Sequence, residues 1–266
     1  MSEEPCTSPN LHGRTALVTG AAGGIGAAVA GALAAAGARV AVLDADRAGL
    51  DLLVKRIEED GGTALALGAD VRDSAEVDAA VDLAERALGP LDHLVNAAGV
   101  LRTGEVTDYS DADWDLTFAV NATGVFHVSR AVVRRMAARR SGAVVTVASN
   151  AAGIPRWNMA AYAASKAAAT SFTRTLGLET AQYGIRCNVV APGSTETPML
   201  TSMYPQGDAA GPSVEGSPAT YRPGIPLGKI ARPEDIAHAV LFLLSEQASH
   251  ITLHNLVVDG GAALGA

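Results

Sequence analysis

The chain has 266 residues, 48% of them hydrophobic, which is enough for one large domain with a sizeable core. Its net charge of −8 argues against a nucleic-acid partner, because phosphate binding needs a basic surface. Its two cysteines, Cys6 and Cys187, can build neither a disulfide framework nor a metal-ligand spacing, and no run of about 18 apolar residues suggests a membrane span, so neither a metal nor a membrane partner is expected.

The N-terminal stretch M-S-E-E-P-C-T-S-P-N is acidic and polar, unlike a signal peptide, and a cytoplasmic protein is the default. Residues 1–11 are expected to be a disordered tail, followed by a single domain over 12–266. From Arg14 the pattern alternates strand and helix. Thr15–Thr19 reads as a buried strand, followed by a glycine-rich turn and an Ala-rich helix, Ile25–Ala36, closed by Gly37. Arg39–Leu43 is a second strand ending in Asp44, and Arg47–Glu59 a charged amphipathic helix. Ala64–Leu67 leads to Asp70. The helix Ser74–Leu88 follows, with Ser74 as its expected N-cap. Leu91–Val95 ends at Asn96, one long helix runs from Asp111 to Arg139 and contains Asn121, and Ala143–Ala148 is a fifth strand. The helix carrying Tyr162 runs to Tyr183, Arg186–Ala191 is a sixth strand, Pro233–Leu244 another helix and Leu256–Val258 a last strand. Such alternation predicts an α/β fold with a doubly wound parallel sheet and helices on both faces. Residues 194–224 break the pattern, being rich in Pro, Gly, Ser and Thr. So long an irregular stretch is usually functional, and a substrate lid is expected there.

Two stretches carry chemistry. Thr19–Gly26, T-G-A-A-G-G-I-G, lies between the first strand and first helix, where glycines let the backbone approach a pyrophosphate at a helix N-terminus. Asp44 follows 18 residues after Gly26 at the next strand's end, where a carboxylate accepts from a ribose diol and repels a 2′-phosphate. No Arg or Lys lies in the glycine run or directly after Asp44, the nearest being Arg47, which favours NAD over NADP. In the second stretch, Ser149 ends a strand, and Tyr162 and Lys166 are four apart on one helix face. An adjacent ammonium is expected to lower the phenol's pKa and make Tyr162 a usable base. Taken alone, Y-x-x-x-K also describes an ordinary helix with a core-facing Tyr and a solvated Lys. Gly20, Asp44, Asp70, Asn96 and Ser149 all fall at strand ends, and in an open parallel sheet the ligand crevice lies there.

With these residues assembled, the chain resembles the short-chain dehydrogenase/reductase family. The matches are T-G-x-x-x-G-x-G at 19–26, N-A-A-G at 96–99, Asn121, Ser149, Tyr162-x-x-x-Lys166 and P-G-x-x-x-T at 192–197. The resemblance implies a Rossmann-like sheet, usually in a homotetramer, with an Asn121–Ser149–Tyr162–Lys166 tetrad. Tyr162 would be the acid/base, Ser149 would hydrogen-bond the reacting oxygen, Lys166 would bind the nicotinamide ribose and Asn121 would hold a relay water. It implies cofactor contacts at Gly20, Gly24, Ile25, Gly26, Asp44, Asp70, Val71, Asn96, Ala97, Gly99, Tyr162, Lys166, Pro192, Gly193, Thr195 and Thr197.

A narrower resemblance, carried by segments such as L-V-N-A-A-G-V-L-R, V-T-V-A-S-N-A-A-G-I-P-R and I-P-L-G-K-I-A-R-P, is to the 2,3-dihydro-2,3-dihydroxybenzoate dehydrogenase subfamily of catechol siderophore pathways. That subfamily oxidises a carboxylated cyclohexadiene diol to a catechol acid with formation of NADH. A carboxylate calls for a bidentate cation, so Arg156, Arg102 or both are expected to bind it, with Met159, Met199 and Met203 lining the ring pocket. The lid at 200–224 and the Trp157-Asn158 pair depart from the subfamily. Alternatives of the same chemistry are oxidation of trans-2,3-dihydro-3-hydroxyanthranilate and reduction of a 3-oxoacyl thioester. An alternative of another class is an NAD-binding sensor without turnover.

Overall fold

The computed structural model describes residues 10–204, 207 and 209–265. Among them, β1 (Thr15–Thr19), β2 (Arg39–Asp44), β3 (Thr63–Gly68), β4 (His93–Asn96), β5 (Gly142–Val147), β6 (Ile185–Pro192) and β7 (Asn255–Val258) form one parallel sheet in the order β3-β2-β1-β4-β5-β6-β7. The helices are α1 (Gly24–Ala35), α2 (Arg47–Glu59), α3 (Ser74–Leu88), α4 (Asp111–Phe118), α5 (Val125–Arg139), α6 (Ala160–Thr180), α7 (Pro198–Thr201), α8 (Ala210–Glu215) and α9 (Pro233–Leu244). Strands buried on both faces explain why β1, β2 and β5 are almost wholly apolar. One core layer packs α1, α2 and α9 on the sheet through Val29, Leu33, Leu50, Ile57, Val240 and Leu244. The other packs α3 and α5 through Val77, Val81, Val128 and Met136. The strand order reverses between β1 and β4, which opens a crevice at the carboxyl ends of the strands.

The predicted architecture is borne out, with local corrections. Asp73, not Ser74, caps α3, because its carboxylate accepts from the N–H groups of Ala75 and Glu76. The predicted long helix is interrupted by a π turn at Ala119–Gly124, a widened turn of the kind found at functional positions. By length and composition alone, and against the expectation of no such stretch, Asp111–Arg139 is apolar enough to cross a bilayer; half of its most apolar window is buried in this fold. Residues 1–9 of the expected tail lie outside the described residues, but Leu11 is 3% exposed and its N–H donates to Ala36 O, so it belongs to the domain. The 194–224 segment contains α7, α8 and a 3-10 turn at Pro218–Thr220, so it is more helical than its composition suggested.

Candidate active site

The turn after β1 is built around contacts that a side chain would block. Gly20 has φ +65°, and a Cβ there would lie 2.5 Å from Ala98 Cα; one on Gly26 would lie 2.1 Å from Gly20 O. Thr19 Oγ1 accepts from the N–H groups of Ala97 (3.1 Å) and Ala98 (3.2 Å), tying the end of β1 to the end of β4. The N-cap of α1 is Gly23, which supplies no side-chain cap, and its first turn has no acid, so its free N–H groups face an anion site. A cavity of about 490 Å³ opens there, walled by Gly20, Gly24, Ile25, Asp44, Val71 and Gly99, among others. Asp44 Oδ2 accepts from Ala22 N–H (3.1 Å) and Oδ1 from Asp46 N–H (3.0 Å), which holds the carboxylate at the mouth of the glycine turn. Arg47 folds across Gly68 and is not among the wall residues. Glycines without Cβ, an uncapped helix start and a carboxylate at the second strand end fit a dinucleotide.

One feature of this cavity, Arg72, was not legible in the sequence, and another, the expected Thr197, takes a specific place. Arg72 lines it and grips Asp70 through Nε at 3.0 and 2.8 Å, and this side-chain bond is the main reason the Asp70 carboxyl sits below its ordinary range. Thr197, at the N-cap of α7, lays its methyl against Gly24, so that a Cβ on Gly24 would come within 2.5 Å of it. Three expected cofactor residues, Pro192, Gly193 and Thr195, line the adjoining cavity rather than this one. Asn96 lines neither. It is 2% exposed, and its amide donates to Ser129 Oγ on α5 (3.0 Å) and Thr146 Oγ1 on β5 (3.3 Å), bracing the sheet against its helix. Ala97 and Gly99, the next residues of that motif, do reach the wall.

At the floor, α6 starts at Ala160 and places Tyr162 and Lys166 on the sheet side, while β5 delivers Ser149 just past its end. The Ser149 hydroxyl accepts from Ala151 N–H (3.2 Å) and acts on the Tyr162 phenol, drawing its pKa down. Lys166 is 5% exposed, and its ammonium donates to Val147 O at 2.9 Å. Asn121 sits in the π turn, fully buried, with its side chain clamped on Val100: Oδ1 accepts from Val100 N–H (2.8 Å) and Nδ2 donates to Val100 O (2.9 Å). Nδ2 also donates to Ser165 Oγ at 3.0 Å, so both amide hydrogens are committed. A relay water at Asn121 is therefore left with acceptor sites only.

The electrostatics correct the expectation for Tyr162. Burial pushes its phenol up, Ser149 opposing, rather than down under the influence of Lys166. Lys166 itself is pulled down from 10.5 to about 8 by burial. The unfolded chain keeps this proton up to the ordinary lysine value, whereas the fold releases it near 8. The cost of burying the ammonium is therefore fully present below pH 8 and is relieved as pH rises from 8 towards 10.5. We expect Lys166→Met to be more stable than wild type at pH 7, by roughly 3 kcal/mol at ~1.4 kcal/mol per pKa unit. The difference should shrink through that alkaline window. Thermal denaturation at pH 7 and pH 10 checks it; a variant less stable at pH 7, or a pH-independent difference, contradicts it.

A second cavity of about 250 Å³ joins the first at Ile25, Ala148, Tyr162, Thr197 and Met199. Its wall brings together Ser149, Arg156, Trp157 and the three expected methionines, Met159, Met199 and Met203. Asn158 does not line it. Arg156 is half-buried, and burial first, then the neighbouring Arg222, draws its pKa down, with Asp259 opposing. Among the described residues its guanidinium has no hydrogen-bond partner and no ion pair within 4.0 Å. Arg102 is elsewhere. It lies on the wall of the first cavity, half exposed, and faces Asp113 at 3.5 Å, so of the two arginines expected to bind a carboxylate only Arg156 lines the second cavity. A carboxylate on the first turn of α4 decides this, and spacing along the chain does not reveal it.

The sequence profile of the family described as enoyl-(acyl carrier protein) reductase matches residues 20–263. A 2,3-dihydro-2,3-dihydroxybenzoate dehydrogenase of Bacillus subtilis is 55% identical over 96% of this chain and 98% of its own length. Its namesake in Escherichia coli K12 is 45% identical over 97% of this chain and 100% of its own. A solved 7α-hydroxysteroid dehydrogenase, in complex with NADH and 7-oxo glycochenodeoxycholic acid, superposes with a TM-score of 0.85 at 34% identity, covering 95% of each chain.

Proposed function

Because the chain belongs to the short-chain dehydrogenase/reductase family, we infer that it oxidises 2,3-dihydro-2,3-dihydroxybenzoate to 2,3-dihydroxybenzoate, as a step towards a catechol siderophore. The observation that carries this reading is the second cavity: an apolar, methionine-lined space that opens on the Tyr162 phenol and holds an unpartnered arginine, Arg156. A ring with a carboxylate on one side and a carbinol on the other suits both ends.

A nicotinamide cofactor, when bound, supplies the acceptor for the hydride leaving the carbinol carbon. The chain supplies the rest. Gly20, Gly24, Ile25 and Gly26 cradle the pyrophosphate, Asp70, Val71, Ala97 and Gly99 border the adenosine half, and Thr197 closes over Gly24. Asp44 at the end of β2, with Arg47 turned away over Gly68, supports NAD over NADP. Pro192, Gly193 and Thr195 shape the partition between the cavities. Tyr162 takes the proton of the substrate hydroxyl, Ser149 holds that oxygen, Lys166 anchors the floor, and Asn121 positions Val100 and Ser165 beneath it. Arg156 pairs with the carboxylate, while Met159 and Met199 flank the ring. The resulting ketone tautomerises to the catechol ring, and aromaticity makes the reaction effectively one-way.

For the assembly, the resemblance points to a homotetramer, and the exposed Trp114, Phe126 and Leu178 on α4, α5 and α6 support buried contacts there. Localisation in the cytoplasm, beside a pool of NAD, is part of the same reading.

The test is NADH absorbance with purified protein, with NAD and NADP run in parallel. The dihydrodiol should be turned over with NAD, with a kcat/KM above that for trans-2,3-dihydro-3-hydroxyanthranilate. A preference for the amino acid moves the protein to a sister reaction, and no turnover of either leaves only the family.

A further inference from the structure

We propose that Arg222, carried on the lid, is the second half of the carboxylate site, so that Arg156 and Arg222 together recognise the anion and the lid reads its charge. The proposal rests on the function inferred above and names a residue for which the sequence holds no local signal: Arg222 lies 66 positions from Arg156 in the least periodic part of the chain.

Both arginines line the second cavity with Ser149 and Tyr162. Arg222 Nη1 donates to the Tyr204 hydroxyl (3.1 Å) and Nη2 to the Ser194 hydroxyl (2.8 Å), so its described partners are neutral oxygens. Among the described residues neither arginine forms an ion pair. The acid facing Arg156, Asp259, is already engaged by Asn150 Nδ2 (3.1 Å) and Gly261 N–H (2.9 Å). Two like charges share a half-buried space, and the Arg222 charge helps to draw the Arg156 pKa down. An anion between them removes that repulsion, and two planar guanidinium forks match the geometry of one carboxylate.

The lid holds Arg222 in place by a turn that excludes side chains. Ser217 and Arg222 exchange two backbone hydrogen bonds, of 2.8 and 3.0 Å. Gly216 has φ +78°, and a Cβ there would lie 2.5 Å from Arg222 O, while one on Gly224 would lie 2.2 Å from Val214 O. The hydroxyls of Ser194 and Tyr204 then orient the guanidinium and leave further N–H groups for a ligand. A neutral ring diol leaves both cations unpaired, and a site with buried polar groups left unpaired rejects such an analogue strongly.

The experiment is calorimetric titration of the full chain, saturated with NADH, using 2,3-dihydroxybenzoate and catechol, which differ by the carboxylate. Wild type should bind the acid more tightly. Arg222→Gln should weaken the acid by roughly ten- to hundredfold and leave catechol within about twofold, and Arg222→Lys should recover part of the loss. Loss of affinity for both probes alike, in Gln and Lys variants together, makes Arg222 a wall residue and overturns the proposal. So does an unchanged preference, or a wild type that does not prefer the acid. Turnover of the dihydrodiol by wild type is scored separately. If turnover fails while Arg222→Gln still loses the acid, the function falls and the anion site stands; if turnover succeeds and the preference is unmoved, only the anion site falls.

Discussion

Tyr162→Phe is expected to lower kcat on the dihydrodiol by about 10²–10⁴-fold, the usual range for a positioned general base. The phenol stands where the two cavities meet and is the titratable side chain that lines both, whereas Asp44 and Asp70 line the first cavity alone. NADH affinity should stay within about twofold, because the pyrophosphate and adenosine walls are 20–26, 44 and 70–71, away from the phenol hydroxyl. Steady-state rates and an NADH fluorescence titration on the same preparation separate the two effects. Retention of more than about one-tenth of the rate would remove Tyr162 from the role of base. The base must be deprotonated to act, and burial raises its pKa, so kcat/KM should climb with pH on the alkaline side of neutrality. Ser149, which opposes that rise, is the group whose loss should move the limb further towards alkaline pH.

Gly26→Ala should abolish tight cofactor binding. The added Cβ would sit 2.1 Å from Gly20 O and 2.7 Å from Gly20 C, and both are backbone atoms that no rotamer change can move. Relief requires the first turn of α1 to swing off β1, which displaces the N–H groups that face the pyrophosphate. Overpacking of this kind costs ~1–3 kcal/mol, so NADH affinity should fall by roughly ten- to hundredfold, and the melting temperature should fall with it. Gly31→Ala, five residues along the same helix, is the control. An added Cβ there meets nothing within 4 Å, so it should be neutral or should stabilise by ~0.5–1 kcal/mol through helix propensity. Equal effects at the two positions would mean that the glycine turn is not specifically shaped for a ligand.

The contrast between what could and could not be read beforehand follows from range. The element order, the parallel sheet, the glycine turn, the strand-end Asp44 and the Tyr162–Lys166 face are all written in spacings of a few residues, where helix and strand periods translate directly into geometry. The family was legible as a resemblance carried by the motifs those residues belong to, and similarity over nearly the whole chain shows it. What only the tertiary structure decided depends on partners far along the chain or on burial. Asn96 braces Ser129 and Thr146, 33 and 50 residues away, and so leaves the crevice wall to its neighbours. Arg102 is drawn to Asp113 while Arg222, from the lid, comes to face Arg156. Asn121 gives its side chain to Val100 and Ser165 across a π turn that no helical period anticipates. The direction of the Tyr162 shift lies outside the sequence for the same reason: desolvation belongs to the packed fold, and it outweighs the opposing effect of Ser149.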